Sequence, residues 1–181
     1  MKNTFTLLLI AISFCITSCN NDDSNDVAAI SPYAGYYTVT VAESDIAVDL
    51  DDNGTAHTDL MAEIENFHHM PGDIFLEERT NGYKSMNFHI PHPNIPDDME
   101  SFHVAYAHAA WGVNYQYSYA TDEITFIGDI DTDYYREFGV VQSVEIISST
   151  TLKCIIKKDY YDYQINAMRN IRLTLIFQKI N

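Results

Sequence analysis

The residues whose types and spacing most invite chemistry form one run, Asp49-Leu50-Asp51-Asp52-Asn53-Gly54-Thr55-Ala56-His57-Thr58-Asp59-Leu60. Asp49, Asp51 and Asn53 alternate, and Gly54 follows at once. A calcium loop uses this order, with hard oxygen ligands at its first, third and fifth positions, a glycine at the sixth for the sharp turn and a backbone carbonyl at the seventh. Thr55 supplies that carbonyl. The last carboxylate, Asp59, comes one residue before the place where such loops close, and Leu60 stands at that place. Two readings follow. One is a calcium site built from Asp49, Asp51, Asn53, Thr55 and Asp59. The other is a metal-free turn, because Asp, Asn and Gly tolerate tight conformations.

A second constellation is aromatic. Tyr115, Tyr117 and Tyr119 alternate along a strand-like segment, and Trp111 precedes them. Such a stripe is either core packing or a wall for a small apolar or sugar-like ligand. Seven histidines (His57, His68, His69, His89, His92, His103 and His108) show no helical His-x3-His pair. A zinc site needs three or four converging ligands, so these are expected on the surface or in the core. Cys154 lies within an apolar strand and is expected to be inert core. The chain contains no Gly-x-Ser-x-Gly elbow, no phosphate-binding glycine loop and no His-Glu-x-x-His. No catalytic residue is assigned, and a hydrolase ranks behind non-enzymatic readings.

The elements that must position these residues read as strands. Segments 36–41, 74–76, 83–90, 102–106, 113–119, 124–127, 140–147, 152–156 and 171–177 are rich in β-branched and aromatic residues. Asn81-Gly82 marks a hairpin with a type I′ turn, in which both central residues need φ > 0. One short helix is expected over 58–65, with Thr58 as N-cap and Leu60 and Ile64 on one face. Pro91, Pro93 and Pro96 mark a loop. Tyr134-Tyr135 and Tyr160–Tyr163 are expected to rim loops. Many short strands with little helix imply an all-β domain, an antiparallel meander β-barrel with a β-sandwich as the alternative.

The N-terminus reads as an address. Lys2 precedes the apolar run Phe5–Phe14, which is too short to span a bilayer but suited to a secretory signal. Ile16-Thr17-Ser18-Cys19 resembles the bacterial lipobox, in which the Cys is lipidated after cleavage. The alternative is a plain signal with an incidental Cys. On the lipoprotein reading, residues 1–18 are removed, Cys19 carries the lipid, residues 19–31 form a disordered tether and residues 32–181 form one β-barrel domain. Cys15 is lost with the signal, leaving Cys154 as the sole thiol of the body and excluding an intramolecular disulfide. Asn20-Asn21-Asp22-Asp23-Ser24-Asn25-Asp26 resembles the acidic surface-export signal of lipoproteins in the Bacteroidetes group.

Gly35-Tyr36-Tyr37, the run Val48–Leu60 and the short acidic helix after it resemble the lipocalin-like lipoproteins of Bacteroidetes. That resemblance implies a meander β-barrel and no established reaction. Tyr37 stands where that family usually has Trp, and Asn53 where it usually has Asp.

Charge narrows the partners. The chain of 181 residues carries 26 acidic and 10 basic side chains, a net charge of −16. Residues 20–145 hold 24 acidic against 3 basic groups, and residues 146–181 hold 2 against 6. Nucleic acid is excluded as a partner, because its phosphates require Lys and Arg. The membrane is met through the lipid on Cys19 rather than through charge. The expected function is a lipid-anchored extracytoplasmic module of the cell envelope, on the outer membrane and exposed at the surface if the export signal acts. It would bind a small apolar or sugar-like ligand, with calcium as the one candidate cofactor. The alternative is a non-enzymatic structural or interaction subunit of an envelope assembly. A lumen of roughly 300–1,000 Å³ would favour the first, and a filled barrel the second.

Overall fold

The computed structural model describes residues 29–98 and 103–180. The expected leader and Cys19 lie outside these residues. In chain order the described elements are β1 (Gly35–Val48), β2 (His57–Asp59), α1 (Leu60–Glu63), β3 (Ile74–Glu78), β4 (Lys84–Phe88), β5 (Pro91–Asn94), β6 (Ala105–His108), β7 (Trp111–Ser118), β8 (Glu123–Phe126), α2 (Asp133–Phe138), β9 (Val140–Ser148), β10 (Thr151–Asp162) and β11 (Ala167–Lys179).

The hydrogen-bonded order of the main sheet is β8-β7-β4-β3-β1-β11-β10-β9, with β2 added to β1 and with β5 and β6 paired as a separate ribbon. Every neighbour in this order is antiparallel. The first strand pairs with the last, so the meander curls into an all-β barrel around one apolar core. The sandwich alternative falls with that closure. One seam remains between β8 and β9, which lie side by side at the two ends of the order. A cleft of about 400 Å³ opens there, lined in part by Ile124, Thr125, Val144 and Ile146.

Alternation along the strands fills the interior. Leu152, Cys154, Ile156 and Tyr160 of β10 and Ile171, Leu173, Leu175 and Phe177 of β11 are buried at period two. Tyr37, Phe88, Trp111 and Tyr115 join them from β1, β4 and β7. Each large apolar side chain removed from water contributes roughly 1.5–3 kcal/mol. Cys154 is fully buried among them, and burial pushes its thiol pKa up, as an inert core thiol requires.

Several expectations are corrected. The helix is capped by Asp59, whose Oδ1 accepts from Met61 N at 2.9 Å, and Thr58 belongs to β2 instead. At Asn81-Gly82 only Gly82 takes positive φ (85°), with Gly82 N donating to Arg79 O and Arg79 N donating to Tyr83 O. That is a type I turn with a glycine bulge rather than a type I′ turn. Pro91–Asn94 is a strand, but in the two-stranded ribbon and not the barrel, which is where proline is tolerated. Tyr160 is core rather than rim because β10 and β11 run on as one long hairpin to Asp162 and Ala167. Tyr134 and Tyr135 lie in the short helix α2.

The same inward register carries Lys158 into the interior. Its Nζ donates to the Phe138 carbonyl at 2.6 Å, at the C-terminus of α2, and lies 3.2 Å from His92 Nδ1. Burial brings its pKa down to about 7. An unfolded chain then holds one more proton than the folded one above that pH, so stability should rise as pH increases from 7 to 9.5. The slope should reach up to about 1.4 kcal/mol per pH unit. Urea unfolding across this range should show the rise in the wild type and its loss in Lys158→Met.

Candidate functional site

Strand pairing places the end of β1 against the β10–β11 turn. Asp49 N donates to Asp162 Oδ1 at 3.3 Å, and Tyr163 N donates to Asp49 O at 2.9 Å. From there the chain turns through Asp52 (φ 59°) and Gly54 (φ 80°), the left-handed conformations that Asp and Gly accept. Asp49 is only 2% exposed, and its Oδ2 accepts from Gly54 N at 3.0 Å. Asp51 is exposed and accepts from Asn53 N at 3.2 Å and Asn53 Nδ2 at 2.9 Å. Leu50 is held on both sides, with its N–H donating to Glu63 Oε2 at 2.7 Å and its carbonyl accepting from the Tyr106 hydroxyl at 3.1 Å.

The carboxylates that converge are Asp49, Asp51 and Glu63, one oxygen of each lying within 4.8 Å of the others. Of the five residues of the linear loop, Asp49 and Asp51 lend carboxylates to this cluster, and the Asn53 side chain bonds to Asp51. Asn53 Oδ1 accepts from Thr55 N at 2.7 Å, and Asp59 is spent as the cap of α1. Glu63, absent from the linear reading, is 2% exposed. Burial raises its pKa, against the lowering effect of its bond from Leu50 N. One sequence signal pointed to it: Glu63 follows Leu60 by three positions and so shares the buried stripe of the helix, an unusual place for a charge. Asp162, also fully buried, faces Arg169 at 2.7 Å as an ion pair without an aligned N–H.

The aromatic stripe divides. Trp111 (3% exposed) stacks on Phe88 at 4.5 Å, and its Nε1 has no hydrogen-bond partner among the described residues. Tyr115 (2%) points inward and donates to Glu78 at 2.7 Å. Tyr117 is half-buried and Tyr119 is 58% exposed. The four do not form one wall. Tyr115 and Tyr117 instead border an open groove of about 410 Å³ between the β3–β4 turn and β7–β8, shared with Tyr83, Lys84, Asn114 and Gln116.

Glu78 anchors one flank of this groove. Its side chain is fully buried and is held by Lys84 Nζ, by Ser31 N at 2.7 Å, by the Ser31 hydroxyl and by Tyr115. This fixes the incoming chain to the barrel, as do the Tyr119 hydroxyl on Ala29 O and the Tyr33 hydroxyl on Asp122. His69, His89 and His108 also cluster, with ring centroids 4.5 and 5.2 Å from His69. Burial first, then the other two rings, depress the pKa of His89.

Burial alone would raise the pKa of Glu78, but the bonds from Lys84, Ser31 and Tyr115 outweigh it and hold the carboxyl below its ordinary 4.5. The stability this contributes is present above that value and is lost as pH falls below it. Glu78→Gln leaves the Lys84 ammonium without its partner and should destabilise the barrel by about 3 kcal/mol at neutral pH. Denaturant unfolding at pH 3.5–7 should also show a flatter acid limb in the variant. No protein-family model, no curated protein and no solved structure matches this chain.

Proposed function

We propose that the protein is a lipid-anchored module of the cell envelope, held to the outer membrane through Cys19, that binds a small sugar-like ligand on the outside of a filled barrel. The observation that carries the ligand reading is the open groove of about 410 Å³, whose lining includes Tyr83, Tyr117, Asn114, Gln116 and Lys84. Aromatic faces beside a few hydrogen-bonding groups suit a ligand with both apolar and hydroxyl surfaces. Large side chains occupy the interior, which favours the groove over a lumen.

The filled interior also favours a second reading, a non-enzymatic structural or interaction subunit of an envelope assembly. No catalytic role is assigned to any residue on either reading.

Two measurements test this. Cys19→Ala should release the protein from the membrane fraction, and a variant that still sediments with membranes would overturn the anchor. Maltose and cellobiose, titrated by NMR, should perturb Tyr83, Tyr117 and Ile127 of the groove. Gln116→Ala should weaken the binding by about tenfold, the equivalent of ~1.4 kcal/mol. If neither sugar perturbs groove residues, the sugar reading fails and the interaction-subunit reading stands.

A further inference from the structure

We infer that Asp49, Asp51 and Glu63 bind one calcium ion, with Glu63 of α1 taking the place that Asn53 and Asp59 hold in a linear calcium loop. Calcium sits 2.3–2.6 Å from its oxygen ligands, so any two ligands on one ion lie within roughly 5 Å of each other. The three carboxylates meet this condition.

Two further observations point to a ligand. Asp49 Oδ1 and Glu63 Oε1 are buried and receive no hydrogen bond from the described residues. Their companion oxygens are occupied by Gly54 N and Leu50 N, so in each carboxylate the oxygen without a donor is the one left for a ligand. Buried carboxylate oxygens without a donor or cation are costly, and a divalent ion would supply the missing partner. Beside the cluster lies a hollow of about 290 Å³, lined in part by Asp51, Glu63, Glu65, Asn66 and Tyr106. It gives an entry path and room for the waters that complete a coordination shell of six to eight oxygens.

Of the neighbouring basic groups, Arg169 pairs with Asp162 and His103 with Asp52 at 3.2 Å, while His57 lies near enough to Glu63 to favour its charged form. A set made only of carboxylate oxygens selects a hard ion over zinc. Calcium accepts irregular geometry where magnesium demands an octahedron. Once bound, the ion would join the end of β1 to α1. Because Asp49 also contacts Asp162 and Tyr163, the tie would extend to the β10–β11 turn.

The test uses the purified protein, stripped with EDTA and titrated calorimetrically with calcium chloride, with magnesium chloride as comparison. The expected result is one site with a Kd of about 10⁻⁵–10⁻³ M and a melting temperature that rises to saturation with calcium. Glu63→Gln and Asp51→Asn should each weaken binding by more than the roughly 10–100-fold that loss of a merely supporting group costs. Asp59→Asn, which keeps a capping oxygen for Met61 N, should bind as the wild type does. Asp51 is exposed, so Asp51→Asn keeps the test decisive if Glu63→Gln does not fold. Absence of heat and of any melting shift at about 10 mM calcium, well above the range of extracellular sites, would overturn the inference. So would wild-type affinity in Asp51→Asn, or loss of binding in Asp59→Asn alone.

Discussion

Pairing of the first strand with the last is the interaction on which the rest of the structure depends. Tyr37 to Ser44 of β1 lie against Lys179 to Leu173 of β11, more than 120 residues away in the chain. Ordering so long a loop is entropically costly, and the ladder offsets that cost only because both strands carry apolar side chains to the same interior. β1 is long enough to serve three partners, β3 at its start, β11 along its middle and β2 toward its end. The bulge between Val39 and Val41 bends it where the sheet must curl.

This closure fixes the two ends of the barrel. Ala29 to Tyr33, the β3–β4 turn and the β7–β8 turn gather at one end around Glu78 and Asp122. The end of β1, α1 and the β10–β11 turn gather at the other around Asp49, Glu63 and Asp162. Glu78, Asp49, Glu63 and Asp162 are buried carboxylates that accept from backbone N–H groups, while exposed Asp122 accepts from the Tyr33 and Tyr117 hydroxyls. Glu78 and Asp162 also have cationic partners, Lys84 and Arg169. Asp49 and Glu63 each keep a buried oxygen with no hydrogen-bond donor among the described residues.

Much of the fold was legible in sequence because strand alternation is local. The β-branched and aromatic runs marked the barrel strands, and period two placed Leu152, Cys154 and Ile156 inside. Lengths were less legible. Tyr160 and Asp162 read as rim because polar residues interrupt the apolar run, yet the β10–β11 ladder continues through them. The aromatic stripe was read as one face. Tyr115 and Tyr117 do share a strand face, but β4 pairs with β7 only as far as Asn114, so burial fades from Tyr115 to Tyr119.

The sequence by itself determined the all-β class, the inward-facing apolar side chains of the regular strand runs and the density of carboxylates around residues 49–59, because each depends on neighbours a few positions apart. Only the tertiary structure decided which carboxylates meet. Asp59 is near Asp49 in sequence, but the helix it caps uses its oxygen. Glu63 is farther along, and the short helix brings it back to Leu50 and Asp49. A ligand set is a matter of convergence in space. Here convergence is set by where β1 ends against the β10–β11 turn, a relation between segments more than 110 residues apart.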